Sequence, residues 1–284
     1  MSSMQGRATT ADGTVLLTRH WPPGVTEDAT WASVLLVHGL GEHSGRYEHV
    51  GDQLAAAGID TYGFDNRGNG GSGGRRGHVD RWSQYHDDLG ERLAAVRAAS
   101  GGRPVALYGH SLGGLIVAGY CLSDRPKPDL VILSSPGLDS TLPGWKKAVA
   151  RVLGSVAPTL AIPNGVSGET LSRDPSVAEK LNRDPVAAKV STARFGAEAL
   201  REQGWVRALA HGGLGVPTLV QHGEDDGLVP VGASAVFEGA PLTKRRTFPG
   251  LRHELHNEPE GRDVIEGVIA WLREQVDARG TLRP

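Results

Sequence analysis

The sequence predicts an α/β fold: a mostly parallel central sheet with helices on both faces, and one cap insertion after the sixth core strand. Three observations predict it. Apolar runs of strand length alternate with segments of helical spacing, the alternation stops at about residue 138, and it resumes at about residue 211. Strictly alternating strands and helices imply parallel pairing through right-handed crossovers. Residues 1–137 and 211–284 are therefore expected to form the core, and residues 138–210 the cap.

"QGRATTADGTVLLTRHW" reads as two short strands joined at Asp12-Gly13, because that dipeptide tolerates the positive φ of a tight hairpin. "SVLLVHG" is a buried strand, and Tyr47, Val50, Leu54 and Ala57 follow at helical spacing. "IDTYGFD" is the next strand. A glycine-rich loop follows it, and Trp82, Tyr85, Leu89, Leu93 and Val96 then mark one helix face. "PVALYG" is a strand, "LIVAGYCL" a helix and "DLVILSS" a strand, which completes six. In the interruption, prolines and short helical pieces such as "GWKKAVARVLG" replace the rhythm. "VPTLVQHG" then forms a strand, residues 231–239 a helix and "KRRTFPG" a strand, and Ile265, Val268, Leu272 and Val276 lie on a last helix.

Composition removes several function classes. With 30 basic and 32 acidic residues and no long run of like charge, the chain carries no electrostatic footprint for nucleic acid. Its one cysteine, Cys121, excludes an internal disulfide framework and is expected in the core on the helix after Ser111. "MSSMQGRATTADG" lacks the apolar centre of a signal peptide, so a cytoplasmic location is expected. The longest uncharged apolar run, "VLGSVAPTLAIP", is too short to cross a bilayer, but it leaves open a peripheral membrane contact through the cap. No set of His, Asp and Glu has metal-ligand spacing and no loop has the pattern of a phosphate cradle, so neither metal nor cofactor is expected. Composition leaves the oligomeric state open.

Gly-x-Ser-x-Gly occurs twice, as "GGSGG" around Ser72 and "GHSLG" around Ser111. A serine hydroxyl is a poor nucleophile unless it is held on a rigid, exposed point beside a base and near donors for the developing oxyanion. Ser111 lies between a strand and a helix, with Gly109 and Gly113 where backbones would crowd, whereas Ser72 has neither element beside it. Of 11 histidines, only His253 and His256 follow the last strand. His253, three residues past the "PG" turn, is the expected base. Glu224, Asp225 and Asp226 all follow a late strand, and spacing alone does not choose the acid among them. One oxyanion donor is expected from the Leu112 N–H at a helix start, and the other from Leu40 in "VHGLGEHSGRY". His38 and His110 read as structural, and Asp65 as a cap for the glycine-rich loop. In the cap, Trp145, Val149, Val152, Leu153 and Leu160 are expected to shield an acyl chain.

These residues resemble the monoacylglycerol lipases of the α/β-hydrolase fold, through "HGLGEHSGRY", "DNRGNGGSGG", "GHSLGG", "LSRDP", "NRDPV", "HGEDDGLVP" and "HELHNEPE". The resemblance implies a serine ester hydrolase that needs no cofactor and cleaves monoacylglycerol to glycerol and a fatty acid through an acyl-enzyme. It places the triad on Ser111, Asp226 and His253, the oxyanion donors on Leu40 and Leu112, and polar contacts to the glycerol end on Glu42, Arg46 and His256. Asn66 and Asn69 depart from the histidines usual in the family. A carboxylesterase or lysophospholipase would share the triad. A peptidase would need an anchor for a peptide terminus that the sequence does not display, and a binding protein on this fold would be expected to lack a triad member.

Overall fold

The apolar runs of this chain form strands that are buried on both faces, as a parallel sheet between two helical layers requires. The computed structural model describes residues 3–280. β1 (Met4–Thr9) and β2 (Val15–Trp21) form the expected antiparallel hairpin, with Gly13 at φ +85° in the turn. β3 (Ala32–Val37), α1 (Glu48–Ala56), β4 (Ile59–Phe64), α2 (Ser83–Ala99), β5 (Val105–His110), α3 (Leu112–Leu122) and β6 (Leu130–Ser134) follow.

The inserted segment then contributes α4 (Gly144–Val156), β7 (Ala161–Pro163), α5 (Gly168–Leu171), α6 (Pro175–Arg183), β8 (Val190–Thr192) and α7 (Ala193–Leu209). β7 and β8 pair antiparallel as a small separate sheet. The "SRDP" phrase starts α6: the Asp174 side chain accepts from Ser176 N, and Pro175 occupies the first turn, where its missing N–H has no partner to lose. β9 (Thr218–Gly223), β10 (Thr243–Phe248) and α8 (Gly261–Gly280) complete the chain.

The main sheet has the order β1-β2-β4-β3-β5-β6-β9-β10, antiparallel at β1, β2 and β4 and parallel from there on. Alternate strand residues feed two cores. Leu35, Val37, Leu107, Val131 and Leu133 face α2 and α3, whereas Val34, Leu36, Tyr108, Leu130 and Ile132 face α1 and α8.

One element differs from the sequence expectation. Residues 231–237 form a 3-10 helix and not an α-helix. Pro230 and Gly239 bound this short run and Gly232 interrupts it, so little favours a full α-turn. α7, inside the segment expected as a cap, sends Phe195 and Val206 into the core beneath α2 and α3. α4 rests on α7 at close range: a Cβ on Gly154 would lie 2.3 Å from the Ala197 Cβ. The segment between β6 and β9 is thus packed on the core through α7.

Candidate active site

β5 runs straight into Ser111, and α3 starts at the next residue. Ser111 has φ +52° and ψ −115°, a conformation that costs a non-glycine residue free energy and persists only when its surroundings hold it. They do: Ser111 N donates to Ser134 O at 3.0 Å, and Ser111 O accepts from Leu115 N and Gly137 N at 3.1 and 2.8 Å. A Cβ on Gly109 would meet Gly113 O at 2.5 Å, and one on Gly113 would meet Val37 O at 2.0 Å. Glycine at both positions lets the strand, the turn and the helix close up around the half-buried hydroxyl.

His253, in the loop after β10, places Nε2 2.8 Å from Ser111 Oγ and Nδ1 2.6 Å from Asp226 Oδ2. Among the three acids after β9, only Asp226 reaches the imidazole. Glu224 accepts from the Thr247 hydroxyl, and Asp225 faces solvent. Asp226 is held from all sides: Leu228 N and Val229 N donate to Oδ1 at 2.9 Å each, and His222 Nε2 lies 3.1 Å from Oδ2. Burial raises the affinity of this carboxyl for a proton. The His222 and His253 hydrogen bonds and the nearby charge outweigh burial and hold it well below the usual carboxylate range.

The neighbouring residues act as scaffolding. His38 Nδ1 lies 2.8 Å from Gly39 O, and its Nε2 accepts from Asn66 N at 2.8 Å. Asn66 Nδ2 also donates to His38 O, so this loop is tied to the end of β3. His110 Nδ1 lies 3.1 Å from Ser134 O, and burial, aided by the charge of His253, pushes its pKa down to about 3. Asp65 accepts from Ser44 N, the Ser44 hydroxyl and Gly71 N, which anchors the glycine-rich loop. Ser72 is consumed there: its hydroxyl donates to Asp65 O and accepts from Leu17 N. Burial pushes the Cys121 thiol up to about 12, and the side chain is packed in the core.

Ser111 and His253 open onto a cavity of about 650 Å³. Leu40, Leu112 and Leu228 of the core line it together with Trp145, Val149, Leu153, Leu160 and Leu181 of the inserted segment. Among the described residues, no group of three or more His, Cys, Asp or Glu is arranged to hold a metal ion, and no helix is long and apolar enough to cross a membrane.

Residues 28–260 match the family model described as "Serine aminopeptidase, S33". The chain is 34% identical to a monoacylglycerol lipase of Mycolicibacterium smegmatis over 245 residues, covering 84% of this chain and 87% of the relative. The chain belongs to the monoacylglycerol lipase family of serine hydrolases. Similarity extends to the human monoglyceride lipase, at 30% identity over 288 residues with 96% of this chain and 92% of the relative covered. A solved structure, the monoacylglycerol lipase of Paleococcus ferrophilus, superposes with a TM-score of 0.80 at 29% identity, covering 97% of this chain and 100% of that one.

The polar end of the cavity departs from what the family resemblance implies. Glu42 and Arg46 line the wall, but His256 does not. Its ring is buried, stacked on Tyr47 at 4.8 Å with the edge of His110 at 5.0 Å, and neither ring nitrogen has a hydrogen-bond partner among the described residues. The reason is local: Leu255–Asn257 forms a 3-10 turn that carries residue 256 to the side facing α1, where His49 Nε2 meets its carbonyl. Two residues that sequence reasoning passed over touch the candidate site residues. His222 supports Asp226 from position i−4. Glu254, next to His253, lines the cavity and takes both terminal nitrogens of Arg46 at 2.6 and 2.8 Å. The sequence signal for both was adjacency: His222 lies at a strand end beside the acids, and Glu254 follows the base.

Proposed function

We propose that this protein is a serine ester hydrolase that cleaves monoacylglycerol to glycerol and a free fatty acid through an acyl-enzyme. The observation that carries the reading is the unbroken chain from Ser111 Oγ to His253 to Asp226, at 2.8 and 2.6 Å, beside a largely apolar cavity. Asp226 accepts from Nδ1–H of His253 and so leaves Nε2 to take the Ser111 proton as Oγ attacks the ester carbonyl. The N–H groups of Leu40 and Leu112 receive the oxyanion, helped by the positive end of α3. His253 then protonates the departing glycerol oxygen. Water, activated by the same imidazole, releases the fatty acid. The apolar wall from Leu160 and α4 takes the acyl chain, and Glu42 and Arg46 stand at the glycerol end. Trp145, Val152 and Val156 of α4 are exposed, which suits a peripheral contact between the cap and a lipid surface.

Product analysis with mono-, di- and triacylglycerols of matched chains tests this. Release of fatty acid chiefly from the monoacylglycerol is expected. Equal release from any small ester, whatever its alcohol, would reassign the protein as a general carboxylesterase. In the same assay Asp226→Asn should lower kcat by about 10³- to 10⁴-fold by misplacing the imidazole tautomer, and Asp225→Asn far less.

A further inference from the structure

The wall of the cavity beside His253 holds two carboxylates and one guanidinium. Arg46 Nη1 donates to Glu42 Oε2 at 2.9 Å and to Glu254 Oε1 at 2.6 Å, and Nη2 donates to Glu254 Oε2 at 2.8 Å. Both glutamates are only 2% exposed, and all three side chains line the cavity. The remaining donors aimed at these carboxylates also come from the protein: Gly39 N and the Tyr47 hydroxyl meet Glu42 Oε1, and Asn257 Nδ2 meets Glu254 Oε2.

Two acids sharing one base leave one formal negative charge on the wall. Glu42 Oε2 and Glu254 Oε1, each with a single donor among the described residues, retain room to accept another. The other charged groups lining the cavity belong to the inserted segment: Asp139, paired with Lys147 and Arg207, and Lys146, over the Trp145 ring.

We infer that this Glu42–Arg46–Glu254 cluster selects the alcohol half of the ester by charge, admitting neutral hydroxylated or cationic groups and rejecting anionic ones such as a glycerol phosphate. Arg46 does not serve as a phosphate hook, because three of its N–H groups already donate to carboxylates. A hydroxyl or ammonium group can donate to the glutamate oxygens, whereas a phosphate dianion can only accept and meets a net negative wall in a partly desolvated site. The inference deepens the monoacylglycerol reading and rests on it for the placement of the alcohol half.

The test uses water-soluble esters with one acyl chain: hexanoylglycerol, hexanoylcholine and the hexanoyl ester of glycerol 3-phosphate. The expected kcat/KM for the phosphate ester is lower than for the other two by about tenfold or more. The choline ester controls for bulk, since a purely steric wall would reject it as well. Glu254→Gln should raise the phosphate-to-glycerol ratio by about tenfold, and Glu254→Asp should keep the original ratio. Added salt should raise the same ratio in the unaltered protein, which tests the charge without any substitution. Equal turnover of the phosphate and choline esters, or a ratio insensitive to both salt and Glu254→Gln, would overturn the inference. Turnover of the choline ester with none of the glycerol ester would sink the monoacylglycerol reading, while the choline-to-phosphate contrast would still support selection by charge.

Discussion

Ser111 and Ser72 share one local pattern, and what their hydroxyls touch separates them: the first meets an imidazole at a cavity, the second closes a loop through Asp65 and Leu17. Ser111→Ala should lower kcat by about 10⁴-fold or more. Ser72→Ala should keep kcat within a few-fold and cost about 1–3 kcal/mol of stability, because a buried N–H and a carbonyl lose a partner. An active-site fluorophosphonate found on Ser72 would reverse the assignment. Burial holds His38, His110 and His256 below the ordinary histidine value of 6.5, so they stay neutral in the fold. The unfolded chain takes up these protons as pH falls through 6.5, and the folded chain resists until far lower, about 3 for His110. Stability is therefore fully present above pH 6.5 and is lost progressively below it. Asp226 adds a loss only in stronger acid, since its folded value lies below the ordinary 3.8. Thermal melts should show Tm falling from neutral pH toward about pH 5 ahead of any carboxylate titration, with His110→Asn reducing the slope by about one proton. A flat Tm over that range would contradict the neutral-histidine account.

α4 presents one apolar stripe, at positions 145, 149, 152, 153 and 156, whose members have different destinations. Trp145, Val149, Leu153 and Leu160 line the cavity, Trp145 while still 66% exposed, whereas Val152 and Val156 are 62% and 72% exposed and do not line it. Helical spacing located the amphipathic element, but it grouped Val152 with the cavity residues, since sequence periodicity does not say which positions along one stripe meet a partner. Val149→Asp or Leu160→Asp should weaken turnover of long-chain esters more than of short-chain ones, since each buried CH₂ contributes about 0.8 kcal/mol. Val152→Asp should leave soluble esters unaffected and reduce binding to neutral lipid vesicles in a sedimentation assay. Equal losses on long and short esters would indicate misfolding, and unchanged vesicle binding would remove the lipid-surface role of this face.

At the scale of the molecule, the three proposed triad groups follow the ends of β5, β9 and β10, which lie in one half of the sheet with β6 between the first two. The strands, their parallel order, the turn at Ser111 and the nearness of His253 to it were legible in the sequence because each depends on local rules: apolar runs, helical spacing, glycine where backbones crowd. Three features depend on tertiary structure, the first of them left open by spacing and pointed to only by the family resemblance. Asp226 was separated from Glu224 and Asp225 by the direction in which the loop after β9 turns, which depends on backbone bonds from Glu224 and Asp225 to Phe248 and Leu251, at the end of β10 and just beyond it. His256 was carried away from the cavity by a 3-10 turn packed against Tyr47 and His49. Glu254 gained its place on the wall through Arg46, 208 residues away in sequence. Local patterns specify which elements form and which residues they carry. The direction of a single side chain at a crowded site depends on partners brought in from distant parts of the chain, and only packing reveals them.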